Sequence, residues 1–385
     1  MRVTYPDYYE TFHCIGSACK DNCCIGWEID VDPVSAARYQ AADAELGQRL
    51  REGIRWDDPP YFKRKEKERC CFLNEQNLCD IQCALGEEGL CEICRQHPRF
   101  HEWFGDYKES GLGLCCEAVG ALLFSREEPV SFVQADIPEP PDEDEPDKRL
   151  LQAVLRIRET AFGIAQDREL PMGIRLCLLM ELAQASQFCL DREDMECLDQ
   201  ICSQFSLIQC RREMGGIVRL EEGSALEETW RGMLRFLRHQ TPLESSWPER
   251  IRRLEENVSS LLSQARDFSN ILKGRIQEVE HLAVYFLYRY LLKAAYDGNV
   301  LSKIGFAVTS CLTVGLMAVE RWQETGDFTM EDHIQLAKDY SKQVEYDLDN
   351  VTGLMEAMWC EPWADVSHLT GMCISLFPPD KEKGC

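Results

Sequence analysis

Between residues 14 and 24 the chain reads Cys14-Ile-Gly-Ser-Ala-Cys19-Lys-Asp-Asn-Cys23-Cys24, four thiols in eleven residues with two of them adjacent. Adjacent side chains on an extended or turning backbone leave in different directions, so this group cannot be explained by packing into one apolar core. Gly16 within it and Gly26 just after it let the backbone bend. Soft thiolates at such irregular spacing suit a soft metal or an iron–sulfur cluster.

A second group follows: Cys70-Cys71, Cys79, Cys83, then Cys91-x-x-Cys94, and finally Cys115-Cys116. Twelve of the twenty-one cysteines fall in the first 116 residues, and the odd total argues against full pairing. The N-terminus has no apolar leader core, so a cytoplasmic, reducing location is expected, where metal binding is the leading explanation for clustered cysteines. The expected ligand pool is Cys14, Cys19, Cys23, Cys24, Cys70, Cys79, Cys91, Cys94 and Cys116. Only one Cys-x-x-Cys knuckle is present, whereas structural zinc favours two. A cluster tolerates more scattered ligands, so iron–sulfur is favoured and zinc stays open.

The formal net charge of −25 disfavours nucleic acid and anionic membranes as partners and is compatible with a lysine-bearing protein substrate. The apolar run Ile304 to Val319 contains Thr309, Ser310 and Thr313 and reads as a buried helix, not a membrane span.

The fold expected is mainly α: a small irregular cysteine-rich module with short strands over 1–136, an acidic proline-rich linker over 137–148, and an all-α bundle over 149–385. Within the module a short strand is expected at Trp27–Asp32, a helix from Asp32 or Ser35 to Leu50, and an exposed loop over Arg55–Glu68. A tight turn is expected at Asn74–Asn77, and a hairpin from His97 to Leu114 around Gly105-Asp106. Apolar residues at helical spacing then mark segments Met195–Glu213, Leu226–His239, Pro248–Leu272, Val279–Ala295, Leu301–Glu320 and Met330–Val351. Thr329 with Asp332 reads as a capping box.

Methyl- or nucleotide-binding sheets of the usual kind carry a Gly-rich turn after a strand, and no G-x-G-x-x-G occurs here. A Cys-x3-Cys-x2-Cys loop is also missing, because Gly26 stands where the third cysteine would be. Trp27 and Phe100 are candidates for cation–π contact, and Arg95 and Arg99 for holding a carboxylate. Arg289, set among Tyr285, Tyr288 and Tyr290, needs a charge partner if buried. Cys197, Cys202 and Cys210 have no ligand spacing and are expected to pack.

The residues Phe12-His13-Cys14 through Cys24-Ile25-Gly26-Trp27, with Cys70, Phe72-Leu73-Asn74, Leu78-Cys79, Leu90-Cys91, Cys94-Arg95, Pro98-Arg99 and Cys116-Glu117, resemble the flagellin lysine-N-methylase family and its Cys-x-x-Cys-x-x-Cys-Cys-type chelating region. The resemblance is dense over residues 8–120. It implies methyl transfer from S-adenosylmethionine to lysine ε-amines of flagellin with a [4Fe-4S] cluster, and leaves Cys71, Cys83 and Cys115 outside the ligand set. It assigns no catalytic residue. Trp27, Arg95 and Arg99 are the candidates for the donor site. The alternative function is a non-enzymatic metal-binding module that presents a partner surface, or a metal carrier.

Overall fold

The computed structural model describes residues 1–379 apart from Asp21, Trp27 and 208–223. The expected strand at Trp27–Asp32 is reduced to a single bridge from Asp30 to Tyr61, with Trp27 itself outside the described residues. The chain opens with β1 (Arg2–Pro6), then reaches two helices, α1 (Pro33–Ala41) and α2 (Ala44–Gly53). The one helix expected to run to Leu50 is thus two. Ala42 and Asp43 are extended, so the hydrogen-bond ladder stops and restarts. Asp32 caps α1 by accepting the Ser35 amide at 2.9 Å.

The segment expected to be an exposed loop holds β2 (Ile54–Arg55) and β3 (Tyr61–Phe62), and Phe62 is buried against Phe72 and Tyr39. The short helices α3 (Asp80–Leu85) and α4 (Glu92–Gln96) follow. The hairpin is as expected: β4 (Arg99–Phe104) and β5 (Tyr107–Leu112) pair around Gly105-Asp106, with Gly105 at φ +64°. Next come α5 (Glu117–Phe124) and β6 (Phe132–Asp136). One four-stranded sheet results, in the order β4-β5-β1-β6, with β1 parallel to β5 and antiparallel to β6.

The acidic stretch 137–148 lies along the hairpin turn. The Gly105 amide donates to the Asp144 carbonyl at 3.2 Å, the Asp142 amide donates to the Gly105 carbonyl at 2.9 Å, and Lys108 pairs with Glu139 at 2.8 Å.

Helices make up the rest: α6 (Lys148–Ala165), α7 (Met172–Leu190), α8 (Met195–Ser206), α9 (Ser224–Arg238), α10 (Trp247–Leu272), α11 (Gln277–Tyr290), a short α12 (Ala294–Asp297), α13 (Val300–Thr325), α14 (Met330–Val344), α15 (Leu348–Cys360) and α16 (Val366–Leu376). The expected segment Met330–Val351 is two helices, because Asp347 starts α15 by capping the Asn350 amide. The part of the Met195–Glu213 segment beyond Leu207 lies outside the described residues, as does Cys210. Cys197 and Cys202 pack against the bundle core as expected, and Cys197 is also bonded to Cys189, because the turn between α7 and α8 brings their Cα atoms to 5.9 Å. By length and composition α13 could cross a membrane, yet 94% of its most apolar window is buried inside the bundle.

Buried apolar residues form two clusters. A small one gathers Ile29, Val31, Tyr39, Leu50, Ile54, Phe62, Phe72, Leu73 and Ile81 with Cys70 and Cys91. The large one joins the bundle helices to Tyr8, Phe12, the β4–β5 hairpin and α5. Cys24, Cys79 and Cys94 pack against the small cluster and Cys116 against the large one.

Candidate metal centre

The loop carrying the first four cysteines is held at three points. Gly16, at φ +55°, turns its amide toward the Cys14 sulfur at 3.4 Å. The Lys20 amide donates to both carboxylate oxygens of Glu117, each at 3.1 Å, and the Lys20 ammonium pairs with Glu331 at 2.6 Å. Asn22 accepts the Cys24 amide at 2.9 Å and donates to the Asn77 carbonyl at 3.2 Å. The Cys70 amide donates to the Cys24 carbonyl at 2.8 Å, which lays the first group against the second.

Cys79, Cys91 and Cys116 each stand immediately before a helix: α3, α4 and α5 respectively. Burial raises the Cys79 thiol, and the amides of Gln82 and Ile81 oppose that rise. At Cys116 burial likewise raises the thiol against the amides of Val119 and Ala118. Helix starts present free N–H groups, so a sulfur there sits in a field that favours its anion.

The neighbouring thiols share protons. A hydrogen bond from Cys71 lowers Cys70 to about 7 in spite of its burial, while the same contact raises Cys71. Cys91 is lowered by Cys94, and Cys94 is raised, first by Cys91 and then by burial. Cys24 is raised by the hydrogen bond with Cys23 and by burial, and it also feels Cys70 and Cys79. Thiolate is the metal-ligating form, and in each pair it is the thiol of the deeper partner, Cys70 or Cys91, that is lowered.

These segments enclose a cavity of about 560 Å³. Of the nine expected thiols, Cys14, Cys19, Cys23, Cys24, Cys79, Cys94 and Cys116 line it. Cys70 and Cys91 do not; they belong to the small core behind the wall. Cys71 turns away and donates to the Gly53 carbonyl at 3.2 Å, and Cys83 is exposed. Cys115, left out of the expected set, does line the cavity. It donates to the Tyr346 hydroxyl at 2.6 Å, and burial pushes it up to about 12. Its signal in the sequence was its place beside Cys116 at the end of a hairpin. Among the described residues, no three His, Cys, Asp or Glu groups converge at metal-binding geometry.

Arg95 and Arg99 both line the cavity. Arg95 is paired with Glu92 and lies 4.0 Å from Glu88. Arg99 instead lies over the rings of Tyr9 and Phe12, 5.9 and 5.4 Å from their centroids. Phe100 is covered by Arg289 at 4.6 Å, and Arg289 pairs with buried Glu345 at 3.4 Å. Two further wall residues were not among the expected site residues: Tyr346, which carried no signal in sequence, and His97, whose signal was its place three residues after Cys94 and whose ring burial lowers to about 4.

A model of the FliB lysine N-methylase C-terminal domain matches residues 158–372. The flagellar biosynthetic protein FliU of Salmonella muenchen is 32% identical over 137 residues, covering 32% of this chain and 78% of that protein. Lysine-N-methylases of Salmonella typhimurium and Salmonella choleraesuis are each 27% identical over 132 residues, covering 32% of this chain. The match spans 33% of the length of either methylase. No solved structure matches the chain.

Proposed function

This chain belongs to the FliB lysine N-methylase family, and on that premise we propose that it transfers methyl groups from S-adenosylmethionine to lysine ε-amines of flagellin, dependent on a [4Fe-4S] cluster. The observation that carries the reading is the cavity into which two remote cysteine groups fold together. Its donor set fits a cluster in kind: soft sulfur ligands, two of which, Cys79 and Cys116, stand at helix starts whose amides oppose the rise that burial gives their thiols. Cys14, Cys19, Cys23, Cys24, Cys79, Cys94 and Cys116 would supply the ligands, with Cys70 and Cys91 behind them. A bound cluster supplies one-electron chemistry.

The remaining tasks fall to this chain's own side chains. Arg99 lines the cavity with its guanidinium over the rings of Tyr9 and Phe12 and has no carboxylate partner among the described residues, so it is the candidate for the donor's carboxylate. Arg95 is already engaged by Glu92 and is the weaker candidate. Lysine must lose its proton to accept a methyl group, from an ordinary pKa of about 10.4. Glu10, Glu28 and Glu87 are exposed on the cavity rim and draw the incoming ammonium. Ile15, Leu78 and Ile93 are exposed on the same rim and cover apolar surface of a protein substrate.

The test is direct. Anaerobically purified protein is expected to be brown, to hold iron and sulfide, and to add methyl mass to flagellin when given S-adenosylmethionine. A colourless protein with stoichiometric zinc rules out the cluster. Iron-loaded protein that leaves flagellin unchanged under reducing and non-reducing conditions rules out the methylase reading.

A further inference from the structure

We propose that His97 supplies an imidazole nitrogen to the metal centre of the cysteine-lined cavity. The proposal rests on the reading of that cavity as a metal centre. His97 Nε2 is buried and has no hydrogen-bond partner. The other buried or half-buried imidazoles described here are engaged. His101 Nδ1 meets Ser110 Oγ at 2.8 Å, His281 contacts the carbonyls of Leu123 and Glu128, and His333 Nδ1 meets Glu278 at 2.7 Å. A buried polar atom left without a partner calls for a ligand that has yet to be placed, and a ring nitrogen is a good donor to iron or zinc.

Position supports the same conclusion. His97 lines the cavity and follows Cys94 at the end of α4, where its amide donates to the Ile93 carbonyl at 3.0 Å. The next residue, Pro98, accepts the Gly113 amide at 2.7 Å, and Gly113 begins the turn that delivers Cys115 and Cys116. His97 is therefore fixed on both sides, between the Cys91–Cys94 knuckle and the Cys115–Cys116 pair. Read from this geometry, the knuckle is Cys91-x-x-Cys94-x-x-His97. An imidazole in place of a thiolate withdraws negative charge from a cluster and raises its reduction potential.

The full chain is reconstituted anaerobically with iron and sulfide as wild type, His97→Ala and His97→Cys. Electron spin-echo modulation of the reduced wild type is expected to show a strongly coupled nitrogen. That coupling changes on labelling histidine with ¹⁵N and vanishes in both variants. His97→Cys keeps its iron and moves the midpoint potential to more negative values, which keeps the test informative where His97→Ala folds poorly. Nitrogen coupling that survives in both variants, or that is missing from an iron-loaded wild type, overturns the role of His97 alone. Failure of the wild type to take up iron overturns the metal centre and this proposal with it.

Discussion

Arg95 and Arg99 carry the same charge and share one wall, yet their neighbours separate them. Arg95 spends its donors on Glu92, one turn away on α4, whereas Arg99 lies over two rings in the cavity wall. The proposed donor contact is thus assigned to Arg99. Charge-assisted hydrogen bonds contribute about 1.5–3 kcal/mol, so Arg99→Lys, which loses the bidentate fork, is expected to raise KM for S-adenosylmethionine at least about tenfold. Iron content is expected to stay unchanged. Equal KM values for the two proteins would remove Arg99 from the donor site. The cysteines divide in the same way. Composition marks all twelve of the first 116 residues alike, but only the fold turns Cys71 onto a backbone carbonyl and brings Cys115 to the cavity.

At the scale of the element, aspartate caps set the boundaries. Asp32, Asp147, Asp194, Asp347 and Asp365 each accept an amide at a helix start. Thr329 and Asp332 form the capping box expected from the sequence. Burial raises the Asp332 carboxyl, but the Thr329 hydroxyl and amide and the Arg321 guanidinium outweigh it, so the group lies below the usual carboxylate range. Asp365 is lowered chiefly by the Ser367 hydroxyl. A depressed folded pKa means stability that is present above the unfolded value of about 3.9 and is lost as pH falls through the folded value. Thermal midpoints measured from pH 6 down to about pH 3 should therefore fall less steeply below about pH 4 in an Asp332→Asn, Asp365→Asn variant than in wild type. Parallel curves would refute the linkage. At neutral pH, Thr329→Ala is expected to cost about 1 kcal/mol, lowering the midpoint on the order of 2 °C.

For the whole molecule, buried ion pairs tie the layers. Glu280 of α11 is fully buried and receives Arg168 at 2.9 Å and Arg175 at 2.8 Å. Buried Glu109 of β5 meets Arg158 of α6 and so joins the sheet to the bundle. Tyr288 Oη lies 2.8 Å from the Thr4 carbonyl and 3.0 Å from that of Ser110, at the junction of β1 and β5. Removing one partner from a buried pair leaves an uncompensated charge and costs about 3–5 kcal/mol. Chemical denaturation of Glu280→Ala is expected to show a loss of that size. Glu249→Ala, which breaks an exposed pair with Arg252, should leave the midpoint within error. Similar midpoints for the two variants would deny Glu280 its structural part.

The sequence by itself determined the elements whose signals are local. The Gly105-Asp106 hairpin, the Thr329 cap, the buried α13 and the helical period of the second half all depend on residues a few positions apart. It also determined that cysteine is concentrated in the first 116 residues, because residue type and number suffice for that. Tertiary structure alone decided which thiols share a cavity, that β1 pairs with β5 and β6, and that Phe62 anchors a segment rich in charge. Those outcomes depend on contacts between remote residues, where each pairing competes with many others and only the folded core selects among them. Arg289 illustrates the difference. Its need for a partner was legible from its apolar surroundings, but Glu345 became that partner only when α11 packed near the end of α14.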